Sequence, residues 1–307
     1  MDVLVSAYFV CVLVIIILSI LLNALLIYII VYKIKVTKLP HVFILSISIS
    51  DVIHTLIGYT AEVWVLFEVY SLKIRFVCIG ASFLTVFTSV SNILQTVITS
   101  IMRAVAIKWP FFYIIYCKTM KMKMFLLLFC YFYGFLWPFI PLIGWSKYEL
   151  DLDKMRCSFD WKLKHSDSLS YLIVLFLFCY FLPVIAMIFA YVAIKKTVFN
   201  NCTIKRAQVG KNRNIQEMVY LKLAFWSAIF YFIIWTPYAG VSLLSVFKIK
   251  SPSVIYTFCA LFSKLSAISN AMTNCYFNKY FRNHLKKIKL FQYFIKRNRR
   301  SSDNVML

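Results

Sequence analysis

Three ionisable side chains lie deep inside apolar stretches of the chain: Asp51, Glu62 and Lys264. A charge at the centre of a bilayer costs about 3 kcal/mol on insertion scales and is usually kept for function. Lys264 is the most informative of the three. It stands in the run Ala260-Leu-Phe-Ser-Lys264-Leu-Ser-Ala-Ile-Ser-Asn270. Three chemistries are open to its amine. It can pair with an acid and hold helices together, or serve an ion or proton path. A desolvated amine can also form a Schiff base with an aldehyde, and the protonated product then needs a carboxylate partner. Asp51 and Glu62 are 11 residues apart, almost three helical turns, which places them on one face and separates them in depth by about 16 Å. Glu62 is the outer of the two and Lys264 lies near mid-depth, so Glu62 is the better partner for the amine. Asp51 belongs to a deeper polar cluster with Asn23 and Asn270. That cluster suits waters, a sodium ion or plain inter-helix hydrogen bonding.

The elements that must carry these residues are membrane helices. Hydrophobic residues make up 62% of the 307 and charged residues 15%, with only 6 glycines and 7 prolines. A soluble domain has roughly 45–50% and about 25% respectively, so disorder, collagen-like repeats and low-complexity linkers are excluded. A bilayer helix needs about 20 mostly apolar residues. Seven stretches qualify: 5–32, 41–66, 75–107, 122–145, 169–195, 218–246 and 252–277. The first reads as its own start-transfer signal. Segment 279–290 is too short to span. It sets Phe281, Leu285, Ile288 and Phe291 on one face among lysines, the pattern of a helix lying on a membrane surface. The fold expected is an all-α membrane protein: a seven-transmembrane helix bundle plus a short cytoplasmic amphipathic surface helix over 1–290, with a short cytoplasmic tail at 291–307.

The net charge of +23 is concentrated in alternate loops. Lys33, Lys38, Lys118, Lys121, Lys205, Arg206 and the tail after residue 278 share one side. Asp2, Glu68, Glu149, Asp151, Asp153, Asp160 and Asp167 share the other. The basic side is therefore cytoplasmic and the N-terminus extracellular, as in a multi-pass protein of the cell membrane. The positive charge is then a surface facing membrane lipids, and no nucleic-acid partner is expected. Cys78 and Cys157 both fall on the oxidising outer side, where disulfides persist, and they are expected to pair. The four histidines are scattered and no metal-ligand spacing or nucleophile–base set is visible, so an independent enzyme is not expected.

The chain resembles the rhodopsin-like (class A) seven-transmembrane G-protein-coupled receptors, and within them the opsins, over about residues 20–290. Asn23 and Asp51 match the polar residues of helices one and two. Cys78 and Arg103, 25 residues apart, match the family spacing. Pro110, Pro183 and Tyr191 match further positions. Gly144-Trp145-Ser146-Lys147-Tyr148 and Cys157-Ser158-Phe159-Asp160-Trp161 resemble the second outer loop of opsins, which plugs the ligand pocket. Trp235-Thr236-Pro237-Tyr238-Ala239-Gly240 resembles opsin helix six, and Asn278-Lys279-Tyr280-Phe281-Arg282-Asn283 the start of the surface helix. Lys264 lies six residues before Asn270, where opsins carry the retinal-binding lysine.

The resemblance implies 11-cis-retinal bound at Lys264 as a Schiff base, light-driven isomerisation, and Trp235 and Tyr238 along the polyene. Trp137 and Phe139 are further candidates for the ring end. It implies a heterotrimeric G protein as partner, with Arg103 and Tyr191 in coupling, and also arrestin and a receptor kinase, for which Ser301 and Ser302 are the plain sites. The vertebrate counterion position, three residues after Cys78, holds Ala81. Asp151 stands where many invertebrate opsins keep an acid, and Glu62 where the opsins of cnidarians, jellyfish especially, place theirs. That points to Glu62 as counterion and to Gs and cAMP. Departures are concentrated on the inner side. The acid before Arg103 is Met102 and the aromatic after it Ala104, which predicts some dark activity. The Asn-Pro-x-x-Tyr motif reads Asn270-Ala271-Met272-Thr273-Asn274, and an expected tryptophan is Tyr131. These losses keep a non-signalling retinal photoisomerase as an alternative. A chemical-ligand receptor, in which Lys264 only pairs with Glu62, is another.

Overall fold

The computed structural model describes residues 3–34, 36, 38–67, 72–151, 155–203, 208–249, 252–277 and 279–285. Asp2, Glu68, Asp153, Lys205, Arg206, Asn278, Ile288, Phe291, Ser301, Ser302 and the whole 291–307 tail lie outside the described residues. The described chain is almost entirely helical. In order it runs α1 (Val3–Tyr28), α2 (Leu39–Ile53), α3 (Thr60–Phe67), α4 (Leu72–Lys108), α5 (Pro110–Phe112), α6 (Met120–Phe139), the strands β1 (Tyr148–Leu150) and β2 (Cys157–Phe159), then α7 (Ser168–Phe176), α8 (Leu182–Thr203), α9 (Gln208–Val246), α10 (Ser253–Ser263), α11 (Ser266–Phe277) and α12 (Lys279–Leu285). π-helical stretches join α2 to α3 at His54–Tyr59 and α7 to α8 at Leu177–Phe181.

Among the described residues, six helical segments are long and apolar enough to cross a bilayer: Val5–Ile34, Leu39–Val65, Arg75–Lys108, Met120–Ile143, Ser168–Lys196 and Phe225–Val246. The α10/α11 pair is the seventh, bent by 42°. These match the seven stretches expected. The long helix α4 runs through the middle, packed against α2, α6, α8 and α9, while α1 closes on α2 and α11. Polar side chains point into this bundle: Ser19, Asn23, Thr55 and Gln95 have no exposed surface. The outside is clad in aromatic and aliphatic residues such as Phe125, Phe132 and Ile188, as a lipid-facing surface requires. Gly134 on α6 lets α4 approach closely, since a Cβ there would lie 2.0 Å from Ser91 Oγ and 2.9 Å from the Phe87 carbonyl.

Three local features depart from a regular-helix reading. The last span is not continuous: α10 ends at Ser263 and α11 starts at Ser266, with Lys264 at the break. Neither proline nor glycine is present there. Ser263 Oγ instead donates to the Ala260 carbonyl at 2.7 Å, a back-bond that bends helices. Carbonyls at and after the bend also accept from side chains across the bundle. Tyr59 OH donates to the Lys264 carbonyl at 3.1 Å, and Asn23 Nδ2 to the Ala267 carbonyl at 2.8 Å. Secondly, Asp51 and Glu62 do not share a face. The π-helical stretch between them carries wider turns, so Asp51 meets Asn92 of α4 while Glu62 meets α1 and the α10/α11 break. Thirdly, Phe281 and Leu285 of α12 are buried against Leu26, Ile30 and Ala271. The described part of this helix turns its apolar face to the bundle.

Candidate functional site

The outer half of the bundle contains a cavity of about 170 Å³. Its wall is mostly apolar and aromatic, and includes Phe159, Trp161, Phe176, Tyr231, Trp235 and Tyr238. Lys264 and Glu62 also line it. The floor is an aromatic stack on α9, with Tyr231 and Trp235 ring centres 6.0 Å apart and Trp235 and Tyr238 6.4 Å apart. Pro237 lies inside the same helix beside these rings. The roof is the β1–β2 hairpin, antiparallel with Glu149 opposite Ser158. The Cys78–Cys157 disulfide bolts it to α4, with Cα atoms 5.3 Å apart. Tyr148 anchors its other strand by donating from its OH to the Pro138 carbonyl at 2.7 Å. Burial pushes that phenol well above its ordinary range.

Lys264 Nζ donates to Glu62 Oε2, and the two side chains are only 6% and 8% exposed. Removing two charges from water is costly unless the remaining lone pairs are met, and here they are. Tyr8 OH donates to Glu62 Oε1 at 3.0 Å. Arg156 Nη1 stands 3.8 Å from the same oxygen and donates to Tyr8 OH at 3.1 Å. Arg156 Nε reaches the other acid, Asp151 Oδ2, at 2.8 Å. Tyr238 OH also donates to Asp151 Oδ2, at 2.9 Å, and lies 2.9 Å from Ser158 Oγ, which accepts from Trp161 Nε1 at 2.7 Å. Two acids and two bases thus form one connected, buried network that runs from α1 across the cavity to the hairpin. The Lys264 amine also sits 4.5 Å from the centre of the Tyr59 ring. The expected Lys264–Glu62 pair is formed, and Asp151 is paired with Arg156.

Sequence reasoning overlooked Arg156 and Tyr8. Arg156 carried a signal, its position next to Cys157, but as one base among several in an outer loop it looked solvated. Tyr8 carried none beyond its aromatic character. Trp137 packs against Tyr133 and Phe178, and Phe139 stacks on Phe135 toward the outside. Neither lines the cavity, so their placement at a ligand's ring end is corrected: those helix faces point to α7/α8 and to lipid.

The deeper polar cluster is split. Asn23 bridges α1 to α11 through the Ala267 carbonyl, Asp51 Oδ1 accepts from Asn92 Nδ2 at 2.8 Å, and Asn270 Nδ2 donates to Ser48 Oγ at 3.4 Å. Asp51 Oδ2 has no hydrogen-bond partner among the described residues and lines a second cavity of about 30 Å³ with His54, Ser89, Asn92 and Asn270. No group of three metal-ligating side chains occurs among the described residues. At the inner end Arg103 is 2% exposed, and Tyr191 stacks on Phe225 with ring centres 4.6 Å apart.

Residues 22–276 match the model of the 7 transmembrane receptor (rhodopsin family). The chain belongs to that family. Among its relatives, parapinopsin of Ictalurus punctatus is 24% identical over 181 residues, which cover 56% of this chain and 52% of that protein. The compound eye opsin BCRH2 of Hemigrapsus sanguineus is 35% identical over 118 residues, covering 34% and 31%. The chain spans about half the length of the first of these and about a third of the second. The crystal structure of squid rhodopsin superposes with a TM-score of 0.79 at 22% identity, over 93% of this chain and 81% of that one. That likeness places the seven-helix fold.

Proposed function

We propose that the protein is an opsin: a light-activated receptor that holds 11-cis-retinal at Lys264. One observation carries the reading. A buried amine, paired with a buried carboxylate, faces an apolar cavity roofed by a disulfide-anchored hairpin. The donor set fits the group. The deprotonated Lys264 amine would hold an aldehyde as a Schiff base, with the aldehyde oxygen leaving as water, and the aromatic walls would solvate a long polyene. When bound, retinal supplies absorption of light and a change of shape.

The chain's own residues do the rest. Glu62 would take the proton from the Lys264 ammonium, freeing the nitrogen lone pair, then return it to the same nitrogen and, as a carboxylate again, hold it there by its negative charge. Tyr8 fixes the carboxylate's orientation by occupying Oε1. The hairpin excludes water. Trp235 and Tyr238 meet a change of shape directly and pass it to α9, whose Pro237 provides a hinge. A shift between two packings then opens the inner face to a heterotrimeric G protein at Arg103 and Tyr191. The Glu62 position favours Gs and cAMP; arrestin and a receptor kinase are the further partners. The basic loops are cytoplasmic and the N-terminus extracellular. The cavity beside Asp51 Oδ2 suits waters or a small cation such as sodium.

The test is an absorption spectrum of purified protein after incubation with 11-cis-retinal, beside Lys264→Ala. A light-sensitive band that needs Lys264 is expected. Its absence from well-folded protein overturns the opsin reading and leaves a chemical-ligand receptor. A band together with no light-dependent nucleotide exchange on any G protein favours the photoisomerase, which the altered inner motifs also suit.

A further inference from the structure

Two carboxylates lie close enough to the cavity to serve Lys264, and Arg156 is set between them. Its Nε holds Asp151 at 2.8 Å, whereas its Nη1 is 3.8 Å from Glu62. Both acids are buried, with side chains 1% and 8% exposed. A guanidinium against a buried carboxylate cancels most of that carboxylate's field at any third group. Tyr238, which lines the cavity, donates to the same Asp151 oxygen as Arg156, so Asp151 stands just behind the cavity wall. We infer that Arg156 is a positioning residue that decides which acid serves Lys264: it neutralises Asp151 and thereby leaves Glu62 as the single counterion.

Charge balance supports this assignment. Among the described residues of the network, Lys264 and Arg156 carry two positive charges and Glu62 and Asp151 two negative ones. Tyr8 and Tyr238 donate hydrogen bonds to the acids, and they add no charge at neutral pH. His54 and Tyr59 face Lys264 from the α2–α3 joint. His54 Nε2 is engaged with Thr85 Oγ1 at 3.0 Å, and its ring packs on Tyr59 at 4.5 Å. Replacing Glu62 by Gln leaves one acid for two bases, and Arg156 keeps it. Replacing Arg156 as well leaves one acid for one base, and Asp151 then acts on Lys264 across the cavity wall.

The inference rests on the opsin reading for its spectral test but not for its chemical one. In the spectral test, retinal-loaded wild type, Glu62→Gln, Glu62→Gln/Arg156→Gln, and that double variant with Asp151→Asn are titrated, and the pH at which the visible band is lost is recorded. Glu62→Gln should lower that pH by about two units or more. The double variant should recover about one unit, a tenfold change in proton affinity, because an unneutralised carboxylate buried behind the cavity wall still acts strongly in a medium of intermediate dielectric. The triple variant should lose the recovery. In the chemical test, the same four retinal-free proteins are treated with formaldehyde and cyanoborohydride, and methylation of Lys264 is followed by mass spectrometry against pH. The onset of reaction should follow the same order, since only the neutral amine reacts.

A double variant no better than Glu62→Gln in either test overturns the role of Arg156. So does a Glu62→Gln protein that behaves as wild type, because Asp151 would then act despite the arginine. A wild type that forms no retinal band overturns the opsin reading alone, and the methylation order still decides the inference.

Discussion

The two ends of the bundle are built differently. The outer half holds a buried network of four full charges, a disulfide and a hairpin roof. Among the described residues, the inner half shows hydrogen bonds between neutral side chains: Tyr131 OH lies 2.7 Å from Ser46 Oγ and 2.8 Å from Ser50 Oγ, and Asn274 bonds back to Asn270. Lys264, Glu62, Trp235 and Tyr238, which resemble the opsin ligand site, all line the cavity of the outer half. The inner half replaces family residues with Met102, Ala104, Ala271, Asn274 and Tyr131. On the opsin reading, the difference assigns ligand capture and signal output to separate residues. A chain can keep the chemistry of the first while rewriting the switch of the second.

Four measurements break or sharpen this contrast. The largest effect should come from Glu62→Ala. It leaves Lys264 and Arg156 as buried cations without their shared acid, which costs about 3–5 kcal/mol. Chemical denaturation in detergent should show the loss, and a change below about 1 kcal/mol would mean that water already reaches the pair. Next comes Met102→Glu, which restores an acid beside Arg103. Dark nucleotide exchange on the coupled G protein should fall about tenfold, within the usual range of coupling free energies. An unchanged dark rate would detach the missing acid from basal activity. Tyr131→Phe should lower thermal stability by about 1 kcal/mol, the net value of a hydrogen bond, without moving any absorption band. A spectral shift would join the two halves that the contrast separates.

The smallest effect is on the hairpin's wet edge. Lys164 Nζ donates to Glu149 Oε2 at 2.7 Å with the lysine more than half exposed. That bond, more than the carboxylate's charge at a distance, raises the amine above its ordinary value of 10.5. A base whose value is raised on folding adds stability that is fully present below 10.5 and fades as pH climbs past the raised value. Lys164→Ala should therefore cost less than about 0.5 kcal/mol at neutral pH, after screening, and nothing at strongly alkaline pH. A loss comparable to that of Glu62→Ala would mean that the edge, rather than the buried network, holds the roof.

Much of this molecule is legible from residue order. Apolar runs of bilayer length define seven spans because lipid leaves the backbone no other partner. The alternation of basic and acidic loops suggests their direction. Lys264 and Glu62 draw attention because each is a charge where charges are rare. Cys78 and Cys157 could be paired because only an oxidising side would keep them. What the order of residues could not show is how neighbours share charge. Arg156 reads as one more loop base until the hairpin folds it inward between two acids. Tyr8 is a span aromatic until α1 packs beside α3. The face on which Glu62 emerges depends on a π-helical stretch, and the break at Lys264 on a serine back-bond, and neither has a periodicity to betray it.

The sequence by itself therefore determined the fold class and the presence of a buried amine and several acids, since transfer from water to lipid acts on each residue type wherever it stands. Only the tertiary structure decided which acid meets the amine. Electrostatic pairing depends on distances of a few ångströms between residues up to 202 positions apart, and those distances exist only once the helices have packed.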